Sequence, residues 1–442
     1  MAAANLITAM AKFPTNAAYT ANFEEPLAMR PCYTKAMNSN GDNMLEKQII
    51  AGADKLASGP AGARATVERL GASLIRDVAS AGVGLDDIIA LWYGEPDQPT
   101  PGFICQAAAA SLARGDTFYT ENFGILELRV ALAEYMSRLY QRPIDSARVA
   151  ITASGMSATN LMQQVLTDPG DNVVVTAPVW PNLIETVRIM GGEPRFAWLQ
   201  FGNQGWSLDL EQMFDLVDSR TRAILINSPS NPTGWVMSRD DMQKVLDFCR
   251  ARGIWVLSDE VYARVIYDRP AAPSFLEIAE PDDRLVVVNS FSKSWCMTGW
   301  RLGWLTAPPA LMPTLEKMIE FHYSCPAHFS QVAGITAVRE GEAFVTDTVA
   351  QYKLARDLVI DRLQAMPKVR VHRPEGAFYA FFAVDGMEDS LAKCKEILLQ
   401  SHVGLAPGAA FGPQGEGFIR LCFAQSLDRL NDAMNRLEPL LA

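Results

Sequence analysis

Short apolar runs alternate with helix-like segments between Leu91 and Ala307, and this alternation limits the folds open to the chain. Each run is rich in β-branched residues and lacks polar alternation, as in strands buried on both faces of a parallel sheet. The runs are Asn172–Ala177, Ala223–Asn227, Ile254–Asp259 and Leu285–Ser290. A helix is predicted over Ser238–Ala251, with Ser238 as its N-cap and Gly253 beyond its end. The sequence therefore predicts an α/β fold with a mostly parallel central sheet flanked by helices.

The chain has 442 residues, and a single hydrophobic core stops growing at roughly 250–300, so the length predicts two core-containing units or one large layered domain. We expect residues 91–318 to form a large domain. After about Met318 the pattern changes to longer helices, which predicts a smaller, discontinuous α/β domain from residues 50–90 and 319–442. A helix predicted over Leu70–Ala81 belongs to it. Residues 1–49 show no sustained period, so we interpret them as a flexible extension.

Charge and cysteine content argue against several classes of function. The 39 basic and 50 acidic side chains give a net charge of −11, which disfavours a role on nucleic acid. The seven cysteines form no C-x-x-C pair, and zinc and nucleotide-binding glycine motifs do not occur, so we expect no metal. The sequence has no run of eighteen apolar residues and no secretory signal. We therefore expect a cytoplasmic protein without membrane association.

Polar side chains follow the predicted strands, at the edge where open parallel sheets bind ligands. They comprise an aromatic ring, an amide, a carboxylate, a phenol, an amine and a guanidinium: Trp180, Asn231, Asp259, Tyr262, Lys293 and Arg301. This set suits a ring cofactor with a phosphate, an aldehyde for a lysine to capture, and a ring nitrogen for a carboxylate to hold protonated. Pyridoxal 5'-phosphate meets all three requirements.

An ordered series of sequence blocks carries the argument further. The blocks are Gly94-Glu95-Pro96-Asp97, Ser154-Gly155-Met156, Pro169-Gly170-Asp171, Asn231-Pro232-Thr233-Gly234, Asp259-Glu260-Val261-Tyr262, Ser290-Phe291-Ser292-Lys293, Met297-Thr298-Gly299-Trp300-Arg301, Pro374-Glu375-Gly376-Ala377-Phe378-Tyr379 and finally Arg420. Any one block is weak, whereas the ordered set is specific. From about Arg69 onwards the chain resembles the fold-type I, class I/II aminotransferases. The resemblance implies an aspartate aminotransferase-like fold and a homodimer with shared active sites.

The resemblance also implies roles at the catalytic centre. Lys293 would capture the cofactor's aldehyde as an aldimine and carry the proton between substrate and cofactor. Asp259 would pair with the pyridinium N–H, which keeps the ring an electron sink. Tyr262 and Asn231 would hydrogen-bond the phenolic oxygen, and Trp180 would stack on the ring.

The phosphate of the cofactor would lie at a helix N-terminus, where free N–H groups and the helix dipole favour an anion. The residues that the resemblance implies for it are Ser154, Gly155, Met156, Ser290, Ser292 and Arg301. Tyr119 would reach the phosphate from a neighbouring subunit. The Ala177–Pro178 and Asn231–Pro232 peptide bonds are expected to be cis on the same ground.

Substrate binding follows from the same comparison. Arg420 would clamp the α-carboxylate bidentately, with Asn231 beside it and Gly94 giving the backbone room to approach. Met156 stands near where bacterial-type aspartate aminotransferases often carry a lysine, so a neutral or aromatic donor is favoured over a dicarboxylic one. Three aromatic residues are candidates for an apolar pocket, although each could equally belong to the core: Trp92, Phe123 and Tyr379.

We therefore expect a pyridoxal-phosphate-dependent aminotransferase that moves an amino group between an L-amino acid and a 2-oxo acid by a ping-pong mechanism. A β-lyase or related eliminating enzyme would use the same Lys293, Asp259 and Arg420, and this alternative stays open. A non-catalytic ligand-sensing module is the third candidate. Residues 1–49 are too short and too neutral to supply the DNA-binding part of such a regulator.

Overall fold

The computed structural model describes residues 62–441, so the extension predicted for residues 1–49 and residues 50–61 of the predicted small domain lie outside the described residues. The strands, labelled in chain order, are β1 (Ile89–Ala90), β2 (Val149–Thr152), β3 (Asn172–Ala177), β4 (Glu193–Trp198), β5 (Gln200–Gly202), β6 (Gly205–Ser207), β7 (Thr221–Asn227), β8 (Trp255–Asp259), β9 (Leu285–Ser290), β10 (Gly303–Thr306), β11 (Val369–Arg370), β12 (Tyr379–Val384), β13 (Val403–Gly404), β14 (Ala406–Pro407) and β15 (Phe418–Cys422). The α-helices are α1 (Ala65–Glu68), α2 (Leu74–Ala81), α3 (Gly102–Arg114), α4 (Leu126–Tyr140), α5 (Gly155–Leu166), α6 (Pro181–Ile189), α7 (Leu210–Asp215), α8 (Arg239–Arg252), α9 (Phe291–Ser294), α10 (Met312–His322), α11 (His328–Glu340), α12 (Glu342–Gln364), α13 (Ser390–Ser401) and α14 (Leu427–Leu441).

The central sheet has seven strands in the order β2-β10-β9-β8-β7-β3-β4. Strand β10 is antiparallel to both of its neighbours, and the pairs from β9 to β4 are all parallel. The four predicted runs are confirmed as β3, β7, β8 and β9. Strand β7 begins two residues earlier than predicted and β8 one residue later.

Helices cover both faces of the central sheet because its core strands are apolar on both sides. Val174, Ile224 and Val256 pack in one cluster with residues of α3, α4, α8 and α11. Their neighbours Val175 and Leu225 pack in another cluster with residues of α5, α6 and α10. This alternation confirms the predicted α/β fold and explains why each strand reads as a continuous apolar run.

Helix boundaries follow from capping side chains. Ser238 caps α8 and Gly253, with a φ of +63°, ends it, as predicted. The helix predicted over Leu70–Ala81 is shorter than expected: α2 begins at Leu74, because the Ser73 side chain accepts a backbone hydrogen bond as its N-cap. Within residues 62–441, every helix is too short or too polar to span a membrane.

A second sheet has its own core. Strands β11-β12-β15-β14 form an antiparallel sheet, and β1 pairs with β13. Ile75 and Val78 of α2 pack in the same cluster as residues of β12, β15 and α14. Within α12, Val345 packs with the central-sheet core and Tyr352 with this second core. The division into two domains stays a prediction, and this packing favours a boundary inside α12 rather than at residue 318.

Candidate active site

The carboxyl ends of three neighbouring parallel strands place Asn227, Asp259 and Ser290 at one edge of the central sheet. Asn227 pairs in register with Asp259, and its side-chain amide donates to the Asp259 carbonyl at 3.2 Å. A cavity of about 490 Å³ opens at this edge. It is lined by twelve of the fourteen predicted site residues: Gly94, Ser154, Gly155, Met156, Trp180, Asn231, Asp259, Tyr262, Ser290, Ser292, Lys293 and Arg301.

The other two predicted residues lie elsewhere. Arg420 is fully buried behind the cavity lining, and Tyr119 is 91% exposed and does not line the cavity. A larger cavity of about 660 Å³, lined by residues such as Asp168 and Arg284, contains none of the predicted residues. Residues 62–441 contain no group of three or more histidine, cysteine or acidic side chains that could hold a metal ion.

Lys293 lies on the short helix α9, directly after the end of β9. Its Nζ donates a hydrogen bond to the Gly94 carbonyl at 2.8 Å and lies 5.7 Å from the centre of the Tyr262 ring. Burial lowers the pKa of the Lys293 amine to about 8. A substantial fraction of this amine is therefore neutral at moderately alkaline pH, which is the form that attacks an aldehyde.

Asp259 ends β8 and is almost fully buried. Its Oδ1 accepts a hydrogen bond from the Val261 N–H at 3.2 Å. Burial raises the pKa of this carboxyl to about 6, against the opposing effects of that hydrogen bond and the Lys293 charge. Within the described residues Asp259 forms no ion pair, so its carboxylate is available to a cationic ligand group in the cavity.

Two tyrosine hydroxyls form a hydrogen bond of 2.6 Å between Tyr262 and Tyr379. Burial raises the pKa of the Tyr262 hydroxyl well above its ordinary value, so the group remains an O–H donor at physiological pH. Tyr379, one of the three aromatic candidates for an apolar pocket, also lines the cavity. Trp92 and Phe123 are absent from the lining and pack in hydrophobic clusters.

Arg420 lies on β15 with a fully buried side chain. Its Nη1 donates to Asn231 Oδ1 at 3.0 Å, and its Nη2 donates to the Trp92 carbonyl. Its Nε has no hydrogen-bond partner, and within residues 62–441 no carboxylate pairs with the guanidinium. A buried cation without a counter-ion is costly, so this site favours an anionic ligand.

The start of α5 also lines the cavity, through Gly155, Met156 and the N-cap Ser154. Ser154 caps this helix, its Oγ accepting from the Ser157 N–H at 2.9 Å. A Cβ on Gly303 would lie 2.6 Å from the Gly155 nitrogen, so glycine lets β10 pass close to the helix start. Arg301 is exposed, with a φ of +51°, and donates from Nη1 to the Thr298 carbonyl at 2.7 Å. A helix N-terminus with an arginine among the lining residues suits a phosphate.

Other predictions from the resemblance concern backbone and ring positions. The Ala177–Pro178 and Asn231–Pro232 bonds are cis, as predicted, and Ser228–Pro229 is also cis. Trp180 is the N-cap of α6 and lines the cavity next to the end of β3.

Sequence reasoning missed several lining residues. Asn227 could have been predicted in the same way as Asp259, because both are polar residues at the carboxyl end of a predicted strand. The Asn227 Oδ1 accepts a hydrogen bond from the Asn231 N–H at 2.8 Å. Arg76, Glu95 and Thr298 also line the cavity. Arg76 carried no local signal, since it is an exposed residue on a helix far from the sheet in sequence.

Gly94 leaves space that no other residue would leave. A Cβ at this position would overlap the Tyr379 hydroxyl. We expect Gly94→Ala to lower the free energy of unfolding by about 1–3 kcal/mol, because either Tyr379 or the backbone must shift. The shift should also displace the carbonyl that holds Lys293 and lower kcat/KM by roughly tenfold or more. Chemical denaturation and steady-state kinetics measure the two effects.

Gly71→Ala is the matched control, since nothing lies within 4 Å of the Cβ it would add. This variant should change neither quantity. Unaltered stability and kinetics in Gly94→Ala would show that the cavity is looser than its geometry indicates.

Comparison with known proteins agrees with this geometry. Residues 86–437 match the family "Aminotransferase class I and II". The aspartate aminotransferase of Pyrococcus horikoshii is 35% identical over 84% of this chain and 94% of its own length. Aromatic-amino-acid aminotransferase 2 of Thermococcus litoralis is 32% identical over 85% of this chain and 97% of its own.

A solved structure shows the same fold. The aspartate aminotransferase of Thermotoga maritima superimposes with a TM-score of 0.80 at 34% identity, covering 85% of this chain and 99% of that one. The ordered motifs, the cavity and these relatives lead to one assignment. The chain belongs to the class I and II aminotransferases, the pyridoxal-phosphate-dependent enzymes of fold type I.

Proposed function

We propose that this aminotransferase acts in the cavity at the carboxyl edge of the central sheet, with Lys293 as its catalytic base and Arg420 as the clamp for the substrate α-carboxylate. One observation carries the proposal. The Lys293 amine shares the cavity with the Asp259 carboxylate and with Asn231, the side chain that covers the unpaired, buried Arg420 guanidinium.

The residues present fit pyridoxal 5'-phosphate. When bound, this cofactor supplies an aldehyde that accepts amino groups and a protonated ring that takes up electron density from the substrate α-carbon. Lys293 offers the amine for the aldehyde, and Asp259 offers a carboxylate for the ring nitrogen. Trp180 offers an aromatic face, and Arg301 with the N-terminus of α5 offers positive charge for the phosphate.

The chain's own groups then have separate tasks. Lys293 Nζ would take a proton from the substrate α-carbon and would return it to the cofactor carbon that carried the aldehyde. Tyr262 Oη stays protonated and donates to an oxygen in the cavity, supported by the Tyr379 hydroxyl. Arg420 and Asn231 bind the substrate carboxylate, for which Asn231 gives up its hydrogen bond to Nη1.

A panel of amino acids tests the proposal. Purified protein with its cofactor is mixed in single turnover with L-amino acids, and the absorption of the cofactor is followed. Donors should bleach the band, and a 2-oxo acid should restore it. Met156 favours a neutral or aromatic donor. This preference stays a prediction, and the ranking of donors by the panel tests it. If no amino acid in the panel bleaches the band, the proposal is wrong.

Elimination is the chemical alternative that shares these residues, and the aminotransferase relatives do not favour it. Release of ammonia and pyruvate from a β-substituted amino acid, without recovery of the absorption band by a 2-oxo acid, would favour elimination over amino transfer. The ligand-sensing alternative would instead require a protein that binds the cofactor and never transfers an amino group.

The active enzyme in this proposal is a homodimer. Tyr119 is 91% exposed, and its neighbour Phe118 and the distant Phe321 are exposed to a similar degree, which leaves large apolar side chains for a second subunit. From a neighbouring subunit, Tyr119 would contact the phosphate. A monomeric mass in sedimentation equilibrium would contradict this arrangement. A cytoplasmic location also belongs to the proposal, and the six described cysteines, all of them free thiols, fit a reducing compartment.

The two perturbed pKa values predict how cofactor capture depends on pH. The pKa of Lys293 is lowered to about 8 and that of Asp259 is raised to about 6. The rate at which apoprotein captures pyridoxal 5'-phosphate should therefore rise with pH through about 8, as the amine loses its proton. A further loss should appear below about pH 6, where Asp259 becomes neutral.

Stopped-flow absorbance between pH 5 and 9.5 measures the profile. The isosteric Asp259→Asn variant should lose the limb near pH 6 and keep the limb near pH 8. A rate that is flat between pH 7 and 9 would contradict the assignment of the upper limb to Lys293.

A further inference from the structure

Tyr379 is a fully buried tyrosine of the second sheet that also lines the active-site cavity. Strands β12 and β15 pair in a register that puts Tyr379 and Arg420 on the same face of that sheet, as diagonal neighbours. The guanidinium carbon of Arg420 lies 4.5 Å from the centre of the Tyr379 ring. The Tyr379 hydroxyl lies 2.6 Å from that of Tyr262, which follows strand β8 of the central sheet. One side chain therefore contacts both the proposed carboxylate clamp and the tyrosine that donates into the cavity.

The hydrogen bond between the two hydroxyls holds one proton, and the surroundings decide which oxygen donates it. Tyr379 is 0% exposed, against 3% for Tyr262, and the Gly94 backbone covers the Tyr379 hydroxyl so closely that a Cβ on Gly94 would overlap it. Among the described residues, Tyr262 is the one hydrogen-bond partner of the Tyr379 hydroxyl. If Tyr262 donated, the Tyr379 proton would be buried without an acceptor, which is costly. Tyr379 is therefore the donor and Tyr262 the acceptor.

This direction leaves the Tyr262 proton free for a ligand in the cavity. Both hydroxyls keep their protons at physiological pH, because burial raises the pKa of each. A hydroxyl that accepts one hydrogen bond donates more strongly in the next, since successive hydrogen bonds polarise one another. The Tyr379 hydroxyl therefore holds the Tyr262 proton in one direction and strengthens the hydrogen bond that this proton forms.

We infer that Tyr379 is a positioning residue for amino transfer, whose hydroxyl donates to Tyr262 Oη and directs the Tyr262 O–H into the cavity. The inference rests on the proposed function, in which Tyr262 donates to an oxygen in the cavity, and the family resemblance makes this the phenolic oxygen of the cofactor. Such a hydrogen bond favours loss of the proton on the nitrogen that joins Lys293 to the cofactor, so it lowers the pH at which the cofactor band changes. Tyr379 acts on this equilibrium through Tyr262.

A pH titration of the cofactor absorption tests this role without a measurement of activity. Tyr379→Phe keeps the ring beside Arg420 and removes only the hydroxyl. We expect the midpoint of the absorption change to rise by about 0.5–1 pH unit, the equivalent of one lost hydrogen bond. Tyr262→Phe removes the donor itself and should raise the midpoint by at least as much. Adding Tyr379→Phe to Tyr262→Phe should then shift the midpoint by only about 0.2 pH unit or less, because the residue through which Tyr379 acts is already absent.

Tyr135→Phe is the matched control. The Tyr135 hydroxyl accepts from Arg264 Nη1 at 2.6 Å, in a buried position outside the cavity lining. This variant should lose stability in chemical denaturation and leave the midpoint unchanged. A midpoint that does not rise in Tyr379→Phe, or that rises equally with and without the Tyr262 hydroxyl, would overturn the inference alone. A wild-type band that no amino acid bleaches would overturn the proposed function, and the inference with it.

Discussion

Lys293→Ala should lower the rate of amino transfer by about 10⁴-fold or more, because one side chain supplies both the amine for the cofactor and the catalytic base. Lys293 is the only lysine among the described residues that line the cavity, so no second amine is present to take its place. Single-turnover absorbance with the best donor measures the loss, and a 2-oxo acid should fail to reverse any slow change that remains.

A matched control keeps the result specific. Lys317→Ala removes an exposed lysine on α10 and should leave the rate unchanged. Added methylamine should restore part of the activity of Lys293→Ala, because a small amine can enter the space and act as a base. A variant that keeps more than a tenth of the wild-type rate would place the catalytic base elsewhere in the cavity.

Much of the fold could be predicted because the strands of the central sheet are buried on both faces. The continuous apolar runs predicted the bounds of β3 and β9 to the residue. The domain boundary predicted at residue 318 does not coincide with the change of packing partner inside α12. Helix α12 runs from Glu342 to Gln364 without a break and packs first with one core and then with the other. The spacing of apolar residues along a helix does not show which of two cores each turn packs against.

The residues of the candidate site also fall into two groups, those that could be predicted from the sequence and those that could not. Residues at strand ends, such as Asp259, and residues in ordered motifs, such as Lys293, could be predicted from the chain alone. Arg76 could not, because its place depends on how α2 docks on the second sheet and brings an ordinary exposed arginine to the cavity. The contact between Tyr379 and Gly94 likewise joins residues far apart in sequence, and only the folded chain shows it.

Arg420→Lys should lower kcat/KM for donor and acceptor alike, by about 10²- to 10³-fold, since a buried point charge cannot reproduce a bidentate guanidinium. The loss should appear in both half-reactions, because donor and acceptor both carry the carboxylate that Arg420 would bind. Thermal unfolding gives a second readout. A 2-oxo acid at about 100 times its Kd should stabilise the wild type by about 2.7 kcal/mol and the variant far less.

Because Arg420 is fully buried, its replacement can disturb the packing, so a second variant that conserves side-chain volume is needed, and Asn231→Asp provides it. The replacement is isosteric and puts a carboxylate where Asn231 Oδ1 now accepts from the guanidinium at 3.0 Å. If Arg420 is the clamp, this internal carboxylate occupies it: the ligand-free protein should gain roughly 1–3 kcal/mol of stability, while affinity for both substrates falls. Unchanged affinity for both substrates would show that the substrate carboxylate does not bind at the Arg420–Asn231 pair, and the assignment of the clamp would be wrong.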